Sequence, residues 1–197
     1  MLRLVGLKRL HVGPIDCEVG AGKCISVMGQ SGVGKSILLR AVADLDPHEG
    51  DAVLDGATAS SMAGPDWRAQ VTYVPADSGW WASTVADHFP AGADFAFLAD
   101  VGIAVEAGTW PVSRLSTGEK QRLSLLRAIG PRTCVLLLDE PTSGLDSVNV
   151  ERVERLLRAM LARGMAIVLV THDAAQAARL AHRHFELTGG QLREQAR

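Results

Sequence analysis

The sequence predicts an α/β protein, a mainly parallel sheet covered by helices on both faces with a small helical insertion, and three observations point there. Residues 135–138 and 166–170 are fully apolar runs of strand length, the mark of strands buried on both faces. Amphipathic stretches alternate with them, notably 148–161, where Val150, Val153, Leu156, Leu157, Met160 and Leu161 share one face. A Gly-rich turn at 29–34 sits between the first clear strand and the first clear helix.

In order, residues 23–28 read as a strand and 35–45 as a helix, with Ile37, Leu38, Ala41, Val42 and Leu45 at helical spacing. Residues 46–50 break that helix. Residues 52–54 before Asp55-Gly56 read as a short strand and turn, and 71–74 as a strand stopped by Pro75. Residues 78–115 are the least regular part, with Trp80, Trp81, Pro90 and an apolar patch at 95–98. A mostly helical insertion is expected there. Helices follow at 117–129, at 148–161 with Gly164 as its stop, and at 174–181.

With 197 residues and 47% hydrophobic content, the chain can build one sizeable core, so one domain over 1–197 is expected. A net charge of -2 with no basic block lowers the expectation of a nucleic-acid partner, whose phosphates call for a basic stripe. The most apolar stretch, 156–170, is cut by Arg158, Arg163 and Gly164 and falls short of the roughly 20 residues that span a bilayer. Charges scattered through the first residues speak against a signal peptide. Cys17, Cys24 and Cys134 form no CxxC pair and are expected to be buried, reduced thiols of a cytoplasmic protein.

The string Gly29-Gln30-Ser31-Gly32-Val33-Gly34-Lys35-Ser36 fits the phosphate-binding pattern G-x-x-x-x-G-K-[ST] in its proper place, after a strand and opening a helix. The glycines let successive N–H groups turn toward phosphate oxygens, and the helix adds its positive end. Lys35 would bridge the β- and γ-phosphates and the Ser36 hydroxyl would ligate Mg²⁺, with Ile37 just beyond them also at the nucleotide. This predicts a P-loop NTPase fold that takes Mg-ATP. Downstream, Val135-Leu136-Leu137-Leu138 runs into Asp139-Glu140. Two carboxylates after an apolar strand are costly unless they meet a cation or water at the sheet's C-terminal edge. Asp139 is the candidate Mg²⁺ carboxylate, acting through water, and Glu140 the candidate base that deprotonates the attacking water.

At this point the sequence resembles the ATP-binding cassette (ABC) ATPase family over nearly its whole length. Leu115-Ser116-Thr117-Gly118-Glu119-Lys120-Gln121-Arg122 is similar to the family's signature motif. Pro141-Thr142-Ser143-Gly144-Leu145-Asp146 is similar to the segment leading through its D-loop, and Thr171-His172-Asp173 to its switch-histidine segment. The order of the motifs is the family's order. The resemblance implies an antiparallel β edge, a helical subdomain at about 78–128, and a head-to-tail dimer, either a homodimer or a pair of different cassettes. Ser116 and Gly118 would then face the γ-phosphate held by the partner chain, His172 would contact that phosphate and the water, and Asp146 would couple the two sites.

Three departures qualify the resemblance. The family's glutamine after the strand at 71–74 is replaced by Ala76, which cannot ligate a metal; Asp77 either approaches the metal or stays in solvent, and slow hydrolysis is the corresponding expectation. Thr117 replaces the first signature glycine, while Gly118 remains. No Tyr, Phe or Trp lies within 8–15 to stack on adenine; His11 is the ring available there, or else a surface histidine. Trp80 and Trp81 follow the altered position, where the family docks its membrane subunit, and one of them is a candidate partner anchor. The implied function is the cytoplasmic, membrane-peripheral ATPase subunit of a transporter whose permease is a separate chain. The short insertion and the signature resemble small stand-alone export-type cassettes. The competing expectations are a soluble ABC ATPase acting on nucleic acid or ribosomes, and a slow nucleotide-gated regulatory module.

Overall fold

In the computed structural model, which describes residues 1–93 and 95–195, the apolar runs form the central strands of a six-stranded sheet. The elements in the first half are β1 (Leu2–Arg9), β2 (Val12–Val19), β3 (Cys24–Met28), α1 (Lys35–Val42), β4 (Glu49–Leu54), β5 (Ala57–Thr58), α2 (Gly64–Arg68) and β6 (Val71–Val74). The second half adds α3 (Thr117–Ala128), β7 (Val135–Asp139), α4 (Ser147–Ala162), β8 (Ala166–Val170), α5 (Ala174–Leu180), β9 (Arg183–Thr188) and β10 (Gln191–Gln195). The large sheet has the order β10-β9-β3-β8-β7-β6, parallel throughout except for β10, which pairs antiparallel with β9 at one edge. A second, four-stranded antiparallel sheet runs β2-β1-β4-β5.

Alternation along the central strands divides the core. Val135 and Leu137 of β7 point into a cluster shared with α1, Trp67 and the antiparallel sheet. Leu136 and Leu138 point the other way, against Val153, Leu157 and Met160 of α4, Leu125 of α3 and Leu180 of α5. Period-2 geometry applied to a continuous apolar run makes this two-sided burial unavoidable. A third cluster fills the segment between β6 and β7, where Val85, Leu98, Val101, Ile103, Ala107 and Leu115 meet Leu123 and Leu126. Helix α3 therefore belongs to two clusters at once.

Several expectations are corrected. The first helix ends at Val42 rather than at 45, because Asp44 turns left-handed with φ 51°. Among the described residues of 78–115 the helical elements are short 3-10 turns, at Ala86–His88, Phe95–Val101, Val105–Thr109 and Val112–Arg114, since Pro90, Pro111 and interspersed glycines prevent longer helices. The antiparallel sheet draws on β1, β2 and β5, where no strand was expected, and β9 and β10 were likewise unforeseen. Cys17 and Cys24 are buried, and burial pushes their thiols up to about 11 and about 12, but Cys134 is exposed at the entry to β7. Among the described residues no helix is long and apolar enough to cross a membrane.

One buried ionic cluster ties α4 to α5. The Glu154 side chain is 4% exposed and accepts from Arg158 Nη2 at 2.9 Å and Arg179 Nη2 at 2.6 Å. Both guanidinium groups stay half in water, so removing the acid lets them hydrate rather than stranding them. Glu154→Ala is expected to cost about 1–3 kcal/mol, the worth of the lost charge-assisted bonds, read as a lower denaturant midpoint in urea.

Candidate functional site

The loop between β3 and α1 owes its shape to glycine. Gly29 has φ 146° and Gly34 φ 107°, and a Cβ at Gly29 would lie 2.5 Å from the Leu187 carbonyl oxygen. At Gly34 it would lie 2.3 Å from Val12 Cγ2, so the loop is pressed against the antiparallel sheet. Lys35 Nζ arches back over the loop, donating to the Gly29 and Gln30 carbonyls at 2.7 and 3.0 Å. His11, exposed, sets its Nε2 3.2 Å from the Val33 carbonyl, which puts this ring beside the phosphate loop.

Across the loop lies the end of β7. Ser36 Oγ donates to Asp139 Oδ2 at 2.6 Å, joining residues 103 positions apart. Tyr73 Oη donates to the same oxygen at 3.1 Å, and burial, with the Asp139 charge beside it, raises the tyrosine's pKa. Tyr73 is a site residue that the sequence did not single out; its place on β6, beside β7, is the one signal that could have found it. A cavity of about 340 Å³ opens here, lined by Ser31, Gly32, Gly34, Lys35, Ser36 and Ile37 with Ala76, Asp139 and Glu140.

Glu140 stands one residue past β7 with φ 50°, a left-handed conformation that costs a non-glycine residue on the order of 1 kcal/mol or more. Its amide donates to the Val170 carbonyl at 2.9 Å, and its own carbonyl accepts from Ser143 N at 3.1 Å and Gln121 Nε2 at 2.8 Å. The carboxylate Oε2 lies 2.7 Å from His172 Nδ1, a donor when that nitrogen carries the proton. The His172 side chain is 73% exposed and that of Glu140 21%, so the pair faces an open cleft. His172 also lines a neighbouring cavity of about 620 Å³ with Gly29 and Gln30.

The remaining candidates lie outside both cavities. Ser116 caps α3, accepting from Glu119 N at 3.2 Å while Glu119 Oε2 accepts from Ser116 N at 2.8 Å, a capping box that leaves the helix N-terminus at the surface. A Cβ at Gly118 would lie 3.0 Å from Leu145 Cδ2, which places the start of α3 against the turn carrying Asp146. Asp146 caps α4, and the Asn149 amide donating to it at 2.9 Å holds its carboxyl below the usual range. Asp77 is exposed and does not line the phosphate cavity; Ala76, also exposed, does. Trp80 packs on the insertion's core while Trp81 is 73% exposed, and both rings meet His88 edge-on and the Arg127 guanidinium.

Known proteins resemble this chain in sequence and in fold. A family model described as ABC transporter matches residues 12–143. The aliphatic sulfonates import ATP-binding protein SsuB of a Mycobacterium species is 38% identical over 186 residues, covering 90% of this chain and 74% of that protein. SsuB of Ralstonia nicotianae is 36% identical over 192 residues, covering 93% and 66%. The chain thus spans about two thirds to three quarters of the length of these relatives. Among solved structures, a dimer of the ATP-binding cassette MJ0796 in a post-hydrolysis state with ADP and Pi superimposes with a TM-score of 0.84 at 23% identity, covering 99% of this chain and 98% of that one. An ATP-binding subunit of an ABC transporter does so with 0.88 at 20% identity, covering 99% and 89%.

Proposed function

Because the chain belongs to the ABC transporter family of ATPases, we propose that it powers a membrane transporter, hydrolysing ATP as a head-to-tail dimer with two nucleotides held between its copies. The observation that carries the reading is the cavity where Lys35 and Ser36 of the phosphate loop meet Asp139 and Glu140 at the end of β7. Residues 1–197 act as one ATPase domain, with 78–128 as its helical subdomain. The permease is a separate chain, and this subunit sits at the cytoplasmic face of the membrane against it. The exposed Trp81, braced by Arg127 and His88, is the anchor offered to that permease. The relatives are importers by name, so import replaces the export-type direction that the signature suggested.

Ser36 Oγ and Asp139 Oδ2, side by side, supply the hard oxygen donors that suit Mg²⁺, which when bound would neutralise part of the triphosphate charge. The loop glycines and the N-terminus of α1 cradle the phosphates, and Lys35 exchanges its two carbonyl partners for β- and γ-phosphate oxygens. Tyr73 holds Asp139 in place. Glu140 takes the proton of the attacking water, and His172, bonded to the same carboxylate, orients it and reaches the γ-phosphate. The signature residues Ser116 and Gly118 lie outside the cavity of their own chain, so they serve the partner's nucleotide, and Asp146 joins the two sites. Ala76 offers no side-chain oxygen at the edge of the cavity, which supports slow turnover.

A complementation experiment tests the composite site. Lys35→Ala disables the loop and Gly118→Asp the signature, so each variant alone is expected to be inactive. An equimolar mixture holds about half heterodimers, each with one intact loop facing one intact signature, and should recover at most about a quarter of wild-type ATPase activity. No recovery at any protein concentration would refute the shared-site arrangement.

A further inference from the structure

Gln121 lies one turn past Gly118, on the same face of α3, and is buried. Its Nε2 donates at 2.8 Å to the main-chain carbonyl of Glu140, a residue held in a left-handed conformation. The other backbone bonds on Glu140 come from Ser143, within its own turn, and from Val170 of β8. Among the described residues, Gln121 is the member of α3 that holds this turn. We propose that Gln121 is a positioning residue that sets the catalytic carboxylate of Glu140 according to where α3 sits.

The proposal rests on the reading of Glu140 as base and of the α3 N-terminus as the contact to the partner's nucleotide. Given those, the bond does something neither site does alone. One end of α3 meets the ATP held by the other chain, and three residues on, the same rigid helix grips the base of its own chain. A shift of α3 by about 1 Å would stretch the bond past hydrogen-bonding range and free the carbonyl. Capture of ATP at the partner's loop thereby helps bring the base of this chain into line with its own water. The two sites become coupled through four residues of one helix.

The test is a double-mutant cycle on the full chain, using Gln121→Met, which keeps the length and apolar stem but cannot donate, and Glu140→Gln. Gln121→Met is expected to lower kcat by about 10- to 100-fold, in keeping with the cost of misplacing a reacting group by about 1 Å, while KM for ATP and the thermal midpoint barely change. In the Glu140→Gln background, the same substitution should leave residual single-turnover hydrolysis unchanged, because its effect passes through the carboxylate. Gln121→Asn, one methylene too short to reach, should behave like the methionine variant and serves if that variant folds poorly. Unaltered kcat in both Gln121 variants, or an equal loss in the two backgrounds, would overturn the proposal while leaving the base assignment standing. Wild-type turnover in Glu140→Gln alone would instead remove the base assignment on which it depends.

Discussion

Glu140→Gln is expected to slow ATP hydrolysis about 10²- to 10⁴-fold, the usual contribution of a positioned general base, while ATP binding persists. The amide has the shape of the acid and can still accept from His172 Nδ1, now 2.7 Å from the carboxylate, so the local geometry should hold. What disappears is the capacity to take a proton, together with one negative charge beside a triphosphate. Binding should therefore stay level or tighten. Nucleotide that binds and is not cleaved leaves the protein in its ATP-bound assembly, so light scattering should show a dimer with Mg-ATP and a monomer with ADP. Unchanged turnover would place water activation on another group.

Lys35→Ala acts at the earlier step and is expected to weaken ATP binding about 10²- to 10⁴-fold. The ammonium donates two charge-assisted bonds, at 2.7 and 3.0 Å, and would redirect them to phosphate oxygens. At about 1.5–3 kcal/mol for each such bond, the loss amounts to about 3–6 kcal/mol, hence that range of affinity. The hydrophobic core does not depend on Lys35, and the Gly29 and Gln30 carbonyls it leaves can turn to water. The thermal midpoint without nucleotide should thus stay within a few degrees. Titration with a fluorescent ATP analogue reads the change, and an affinity within threefold of wild type would show that the backbone alone carries the phosphates.

The core of the candidate site was legible in the sequence because its carriers are local. A phosphate loop spans eight residues, and the Asp139-Glu140 pair announces itself by following four aliphatics. The parallel strands were legible for a similar reason, since β7 and β8 are buried on both faces and no polar residue blurs either run before Asp139 at the end of β7. The antiparallel sheet was harder. Strand β1 alternates at Leu2 and Leu4, but its pairing shifts register between Leu4 and Leu7 and again before Arg9, so no clean period survives. In the insertion, burial of Leu98, Val101 and Ile103 comes from irregular turns folded onto α3, for which no period exists to be read. Tyr73 and Gln121 bond to partners 66 and 19 residues away, and only the strand order and the helix position reveal those pairings.

The left-handed turn at Glu140 also has an evolutionary side. Asparagine or glycine would adopt that backbone more readily than glutamate does. Selection on folding alone would favour one of them at position 140, and a protein so relieved would keep its fold while losing its reaction. If Glu140 is the base, as proposed, the acid there is a stability–activity trade-off written into a single residue. In a library sorted by thermal resistance without regard to turnover, this is the position where catalysis would be discarded first.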